Sequence, residues 1–197
     1  MSKATPKSRH TLFTIGHSTR TLEELLDMLH AHKVKAVADV RLIPKSRRLP
    51  HFNDENLAKE LPRAKIEYHP FKSLGGRRRP DKNSINLAWR NASFRGYADF
   101  MQTPAFADAL EDLMALARRT PTTTMCAEAV PWRCHRSLIS DALLVRGWEV
   151  LDIMSATKAS PHKLPNFAQV DGTTITYPAE ADAHGLFTPE PAPGDLL

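Results

Sequence analysis

Cys126-Ala127-Glu128-Ala129-Val130-Pro131-Trp132-Arg133-Cys134-His135-Arg136 gathers both cysteines of the chain with a carboxylate, an imidazole and two guanidinium groups. Thiol, imidazole and carboxylate are the groups from which nucleophiles, general acids and general bases are made, and guanidinium forks hold anions bidentately. The run lies between a strand-like and a helix-like segment, where α/β proteins place binding and catalytic groups.

Spacing separates the chemistries open to this run. A cysteine-dependent phosphatase loop needs five residues between thiolate and arginine, whereas six separate Cys126 from Arg133. Ala129, Val130 and Pro131 also suit a nest of convergent N–H groups poorly. Cys126, Cys134 and His135 are candidate zinc ligands, with Asp39, His17 or Glu128 to complete a shell. Structural zinc sites show paired short spacings, however, and this run has none. No metal and no cofactor is therefore assigned. Cys134 sits near an expected helix start, where the dipole, Arg133, His135 and Arg136 favour a thiolate. Alternatively it packs beside Leu138 as a small core residue. Glu128 could serve as a general base or pair with Arg136 or Arg41. His17 and His135 join it as acid/base candidates because imidazole titrates near neutrality.

The charge points to an anionic partner. Lys33 to Arg95 carries sixteen Lys and Arg against six acids, although the whole chain is only +5. Nucleic acid or a phosphorylated metabolite fits that asymmetry better than lipid, the alternative being a solvated basic face. Arg41, Arg77, Arg78, Arg79, Arg133 and Arg136 are the candidate anion holders, with Ser18 and Asp39 beside them. Gly75-Gly76 lets its loop approach a ligand closely. Phe52, Tyr68, Phe71, Trp89, Phe94 and Tyr97 could stack on bases or serve the core. No apolar run is long enough to span a bilayer, and the basic N-terminus lacks the apolar stretch of a secretory signal. A cytoplasmic location is the expectation, with the two cysteines reduced. The sequon Asn91-Ala92-Ser93 is then a coincidence.

The elements that must position these groups alternate. Thr11–His17 reads as a strand, and Thr21 with Glu24 forms a capping box for a helix to His32. Val34–Arg41 is a second strand. Asn53 caps a short helix stopped by Pro62, and Lys65–His69 is a third, weaker strand. Phe71–Ser93 has no period and reads as a long loop. Pro104–Arg119 is a helix, Thr122–Glu128 a strand, Cys134–Arg146 a helix closed by Gly147, and Trp148–Met154 a strand. Residues 167–177 form a small hairpin with a type I′ turn at Asp171-Gly172, and the last dozen residues fray. The expectation is a three-layer α/β domain over 11–154: a mainly parallel sheet of about five strands with helices on both faces. A flexible basic segment (1–10) precedes it, and a C-terminal appendage and tail (155–197) follows. If the first and fourth strands are neighbours, His17-Ser18 and Cys126-Ala127-Glu128 face one another across a crevice, with Asp39 and Arg41 on its rim.

Thr14-Ile15-Gly16-His17-Ser18, Asp39-Val40-Arg41, Leu74-Gly75-Gly76, Phe94-Arg95-Gly96-Tyr97 and the Cys126–Arg136 run occur in that order. Together they resemble the bacterial and archaeal family called domain of unknown function 488. The resemblance covers roughly Leu12 to Met154, and it implies an α/β domain whose characteristic polar residues are those just named. It implies no particular reaction.

Two functional readings follow. The first is an enzyme, a hydrolase or transferase, acting on a nucleotide, nucleic acid or other phosphate-bearing substrate. In it Arg41, Arg77 and Arg136 hold phosphate, Glu128 and His17 move protons, and Cys134 or Cys126 is a nucleophile or redox-sensitive thiol. The second is a non-catalytic module that binds nucleic acid or a small anion.

Overall fold

The computed structural model describes residues 10–179. Residues 1–9 of the expected flexible N-terminal segment (1–10) and the last dozen residues, expected to fray, lie outside those residues. Strand β1 (Thr11–Gly16) leads through α1 (Leu22–Ala31) to β2 (Ala36–Asp39), and α2 (Asp54–Arg63) leads to β3 (Glu67–Pro70). After a long segment come α3 (Ala92–Phe100), α4 (Pro104–Arg119), β4 (Thr122–Cys126), α5 (Arg136–Leu144), β5 (Glu149–Ser155) and β6 (Lys158–Pro161). A separate hairpin joins β7 (Gln169–Asp171) to β8 (Thr174–Thr176).

The sheet has six strands in the order β3-β2-β4-β1-β5-β6. All neighbouring pairs are parallel except β5–β6. The chain runs outward from β1 to β3, then returns to insert β4 between β2 and β1. That reversal puts α1 and α2 on one face, packed with Ile15, Val37 and Met125. Residues of α3, α4 and α5 cover the other face with Leu12, Ala38 and Val150. The division of residues an odd number of positions apart, Leu12 from Ile15 and Val37 from Ala38, between the two cores is the period-two pattern of a sheet covered on both sides.

Local chemistry sets the boundaries. The Thr21/Glu24 capping box forms as expected, each side chain bonding the other residue's backbone N–H. Thr103 caps α4 with Pro104 in the first turn. Asn53 precedes α2, but its side chain accepts from Ser46 N instead of capping, and Pro62 lies inside the last turn instead of stopping the helix before it.

Four differences from the sequence expectation matter. Strand β6 adds an antiparallel edge, so the sheet gains a sixth strand. Helix α3 was hidden by Gly96, a poor helix former. Glycine is required there because a Cβ would lie 2.4 Å from the Arg78 carbonyl oxygen of the crossing loop. Asn91 of the sequon caps this helix, accepting from Ser93 N and Phe94 N. The β7–β8 turn is centred on Gly172-Thr173, with only Gly172 at positive φ (58°), the pattern of a II′ turn, not I′. Finally, α5 starts at Arg136 because Pro131–Arg133 forms a single 3₁₀ turn and leaves Cys134 extended. The hairpin is tied to the main domain: Ile175 and Tyr177 are buried in the α4/α5 core.

Candidate functional site

Strands β1 and β4 are neighbours, so their carboxyl ends open together. Beyond them His17 N bonds the Cys126 carbonyl at 2.9 Å and Ser18 N the Ala127 carbonyl at 2.9 Å. The approach tolerates no side chain at Gly16, where a Cβ would lie 1.7 Å from the Glu128 carbonyl oxygen. Ser18, at a left-handed φ of 51°, turns the chain towards α1.

One side of this crevice is a buried polar network. The His17 ring stacks on Phe52 with centroids 4.1 Å apart. A carbonyl only accepts, so the 2.9 Å contact to Ser18 O fixes the proton on Nδ1. Nε2 then accepts from Arg41 Nη1 at 3.2 Å. Burial, and then the Arg41 charge, hold His17 down at about 4, so the ring is neutral near pH 7. Arg41 donates from Nε to Asp39 Oδ1 at 2.8 Å and from Nη2 to Asp39 Oδ2 and the Phe52 carbonyl. Tyr68 donates its hydroxyl to Asp39 Oδ2 at 2.8 Å. Burial, and then the Asp39 charge, raise the phenol above its usual range.

On the other side stands a thiol–imidazole cluster. The Cys126 and Cys134 sulfurs and a His135 ring nitrogen all lie within 4.8 Å of one another. Both cysteines are buried and free, and His135 is half-buried. His135 Nε2 donates to the Val40 carbonyl at 3.0 Å, which leaves Nδ1 as the acceptor 3.7 Å from Cys134 Sγ. The Cys134 thiol against Cys126 pushes the Cys126 pKa down despite burial, and the His135 ring adds to this once Nδ1 also carries a proton. The neighbouring Cys126 and burial drive the Cys134 thiol up. Of the two, Cys126 is the more readily ionised. The helix-start argument for Cys134 does not carry over, since that residue precedes α5 in extended backbone.

Arg136 is wholly buried and holds backbone. Its Nη1 donates to Thr14 Oγ1 at 2.9 Å, and its Nη2 to the Glu128 and Ala129 carbonyls at 2.7 and 3.0 Å. The pairing expected between Glu128 and Arg136 is thus made by the carbonyl, and the Glu128 side chain is exposed. Gly76 packs on His135, where a Cβ would lie 2.8 Å from Nδ1, and the next residue, Arg77, is exposed. Arg78 is held by the Gly75 and Ser73 carbonyls and lies 3.8 Å over the Phe100 ring. Arg133 is exposed next to Cys134.

The structure therefore joins His17, Arg41 and Asp39 in one network and Cys126, Cys134 and His135 in another, linked through Cys126–His17 and Val40. Phe52 and Tyr97 belong to the core, and Trp89 stacks on Phe94 at 4.8 Å. Tyr68 serves Asp39. A further polar group was not foreseen: His162 Nε2 lies 2.7 Å from Asp141 Oδ1 and Nδ1 lies 3.5 Å from Asp152 Oδ2. Tyr177 donates to the other Asp141 oxygen at 2.8 Å. Its signal in the sequence was two aspartates at expected core positions, Asp141 in a helix and Asp152 in a strand. Both are costly to bury without a partner.

The sequence model of the family described as domain of unknown function DUF488 matches residues 21–143, more than half of the chain. The chain belongs to that family. The matched stretch holds Asp39, Arg41, Cys126, Cys134, His135 and Arg136, while His17, Asp152 and His162 lie outside it. No curated protein and no solved structure matches.

Proposed function

We propose that this protein is an enzyme acting on a phosphate-bearing substrate, a nucleotide or nucleic acid, in the crevice at the carboxyl ends of β1, β2 and β4. Cys126 is the nucleophile and His135 its proton partner. The observation that carries the reading is the convergence of Cys126, Cys134 and His135 within 4.8 Å, with His135 Nδ1 left as acceptor by the Val40 bond. In the reaction the Cys126 proton passes to His135 Nδ1 and the sulfur attacks the electrophilic centre. As the bond to the leaving oxygen breaks, that oxygen takes the proton from Nδ1, and water later cleaves the covalent intermediate. The Cys134 thiol beside the Cys126 sulfur favours the ionised form of Cys126.

Substrate anions are held by the exposed Arg77 and Arg133. Arg41 and Arg136 already serve internal acceptors and act as positioning residues for the two strand ends.

The test uses nucleoside mono- and triphosphates, single-stranded oligonucleotides and p-nitrophenyl phosphate as probes. Cys126→Ser and His135→Gln are expected to abolish turnover, and Arg77→Gln with Arg133→Gln to raise KM. Full activity in Cys126→Ser overturns the reading. Nucleic-acid binding that is salt-dependent and weakened by replacing Arg77, Arg78 and Arg79, with no turnover of any probe, favours the non-catalytic module instead. The same three ligand atoms also suit a soft divalent ion in a Cys₂His set. One equivalent of zinc that blocks alkylation of Cys126 would likewise remove the nucleophile.

A further inference from the structure

On the α5 face of the sheet, at the β5–β6 edge, lies a cavity of about 450 Å³ that the crevice reading does not use. Its size falls in the range of small-ligand pockets. Pro131 and Trp132 form one wall, so the 3₁₀ turn that presents Cys134 to the crevice turns its other end to this cavity. The indole of Trp132 is 66% exposed, unusual for so large an apolar ring. Asp152 and Trp89 also line the space. Each carries a buried polar atom with no partner, Asp152 Oδ1 an acceptor and Trp89 Nε1 a donor.

Charge narrows the ligand. The Asp141–His162–Asp152 group sits at the inner wall. Burial opposes the charged ring, but the hydrogen bonds and charges of Asp141 and Asp152 outweigh it and raise His162 to about 9. Lys158 and Lys163 are exposed at the rim, and the lysines that pair with carboxylates among the described residues are Lys45 and Lys72. With the histidine charged, the lining as a whole is positive.

We propose that this cavity binds a nucleoside monophosphate, its base against Trp132 and its phosphate at Lys158 and Lys163. A base edge presents an N–H beside a carbonyl or ring nitrogen, the complement of one free carboxylate oxygen and one indole N–H. Its π-face stacks on an exposed aromatic ring. Most of the lining lies beyond residue 143, outside the stretch that the family model matches. The site stands whether or not the thiol reading does.

Calorimetric titration with AMP, GMP, CMP and UMP, at low and at moderate salt, tests it. One saturable site per chain is expected for at least one of them, with Kd below about 1 mM. Trp132→Ala and Asp152→Asn should each weaken it at least tenfold. The double variant Lys158→Gln, Lys163→Gln should weaken it several-fold and remove most of its salt dependence. Trp132→Ala removes an exposed ring, so it decides the matter if Asp152→Asn does not fold. Binding must survive Cys126→Ser. No saturable binding of any of the four, or binding unchanged in Trp132→Ala, overturns the proposal. Binding lost in Cys126→Ser but kept in Trp132→Ala places the nucleotide in the crevice instead.

Discussion

His135 donates its Nε2 proton to the carbonyl oxygen of Val40 across 3.0 Å, and that bond determines what its other nitrogen can do. A carbonyl has no proton to give, so Nδ1 must be the acceptor, and it is Nδ1 that faces the two thiols. Val40 follows β2 and Cys126 ends β4, so the pairing of these two strands positions both members of the cluster.

Replacing His135 by Gln should therefore lower the reactivity of Cys126 without unfolding the chain. Alkylation by iodoacetamide at pH 6 to 7, followed by mass spectrometry of each cysteine, should show Cys126 reacting first in the wild type. His135→Gln should slow that reaction at least tenfold, a loss of about 1.4 kcal/mol or more in thiolate stabilisation. Equal rates in the two proteins would separate His135 from the thiol chemistry.

Gly76 and Gly16 give a graded pair. A methyl on Gly76 would lie 2.8 Å from Nδ1 of a half-buried ring that can shift, so Gly76→Ala should cost little stability yet reduce Cys126 alkylation. A methyl on Gly16 would lie 1.7 Å from the Glu128 carbonyl oxygen, which Arg136 also holds. Gly16→Ala should destabilise by about 3 kcal/mol or more, since backbone must move. Denaturant midpoints for both variants check the order.

Asp39 is the anchor of the other network. It is 1% exposed and accepts from Arg41 and Tyr68. Asp39→Ala leaves the buried Arg41 without its carboxylate and should cost about 3–5 kcal/mol. Tyr68→Phe removes one hydrogen bond, leaves the ion pair, and should cost about 1–2 kcal/mol. Urea melts in which the two variants lose equal stability would show that Arg41 finds another partner.

The parts of this fold legible in the sequence are those set by local chemistry. The Thr21/Glu24 box, Pro104 after Thr103, and the alternation of strand and helix each act over a few residues, and each forms as read. Gly96 misled because its role is non-local: it admits the backbone of Arg78 and Arg79, which lies far away in sequence. Glu128 was legible as a residue at the mouth of the crevice, but its contribution is a carbonyl, and sequence does not distinguish backbone acceptors from side-chain ones. The sequence places the two cysteines in one region. Which ionises more readily depends on the side chains each meets, and Cys134 meets Cys126 from extended backbone two residues before α5 starts. His162 could not be joined to Asp141 and Asp152 without the edge strand β6, whose four residues carry too weak a pattern to announce it.

Two buried histidines with opposite shifts predict a stability profile with two limbs. His17, 3% exposed, is held at about 4 by burial and Arg41, against an ordinary value of 6.5. Below pH 6.5 the unfolded chain takes up a proton that the folded one refuses, so stability is full above that pH and is lost as pH falls towards 4. His162 is raised to about 9, because the bonds and charges of Asp141 and Asp152 outweigh burial. Its contribution is full below pH 6.5 and is lost as pH rises towards 9, where the folded ring must give up the proton that Asp141 and Asp152 hold. Each limb is worth about 3 kcal/mol. His17→Gln should flatten the acid limb and leave the alkaline one, and His162→Gln should do the reverse. Urea midpoints between pH 4.5 and 9 measure both limbs in one series. An alkaline limb that keeps its full slope in His162→Gln would mean that the ring is neutral in the folded protein, and with it the positive lining assigned to the cavity beside Trp132 would fall.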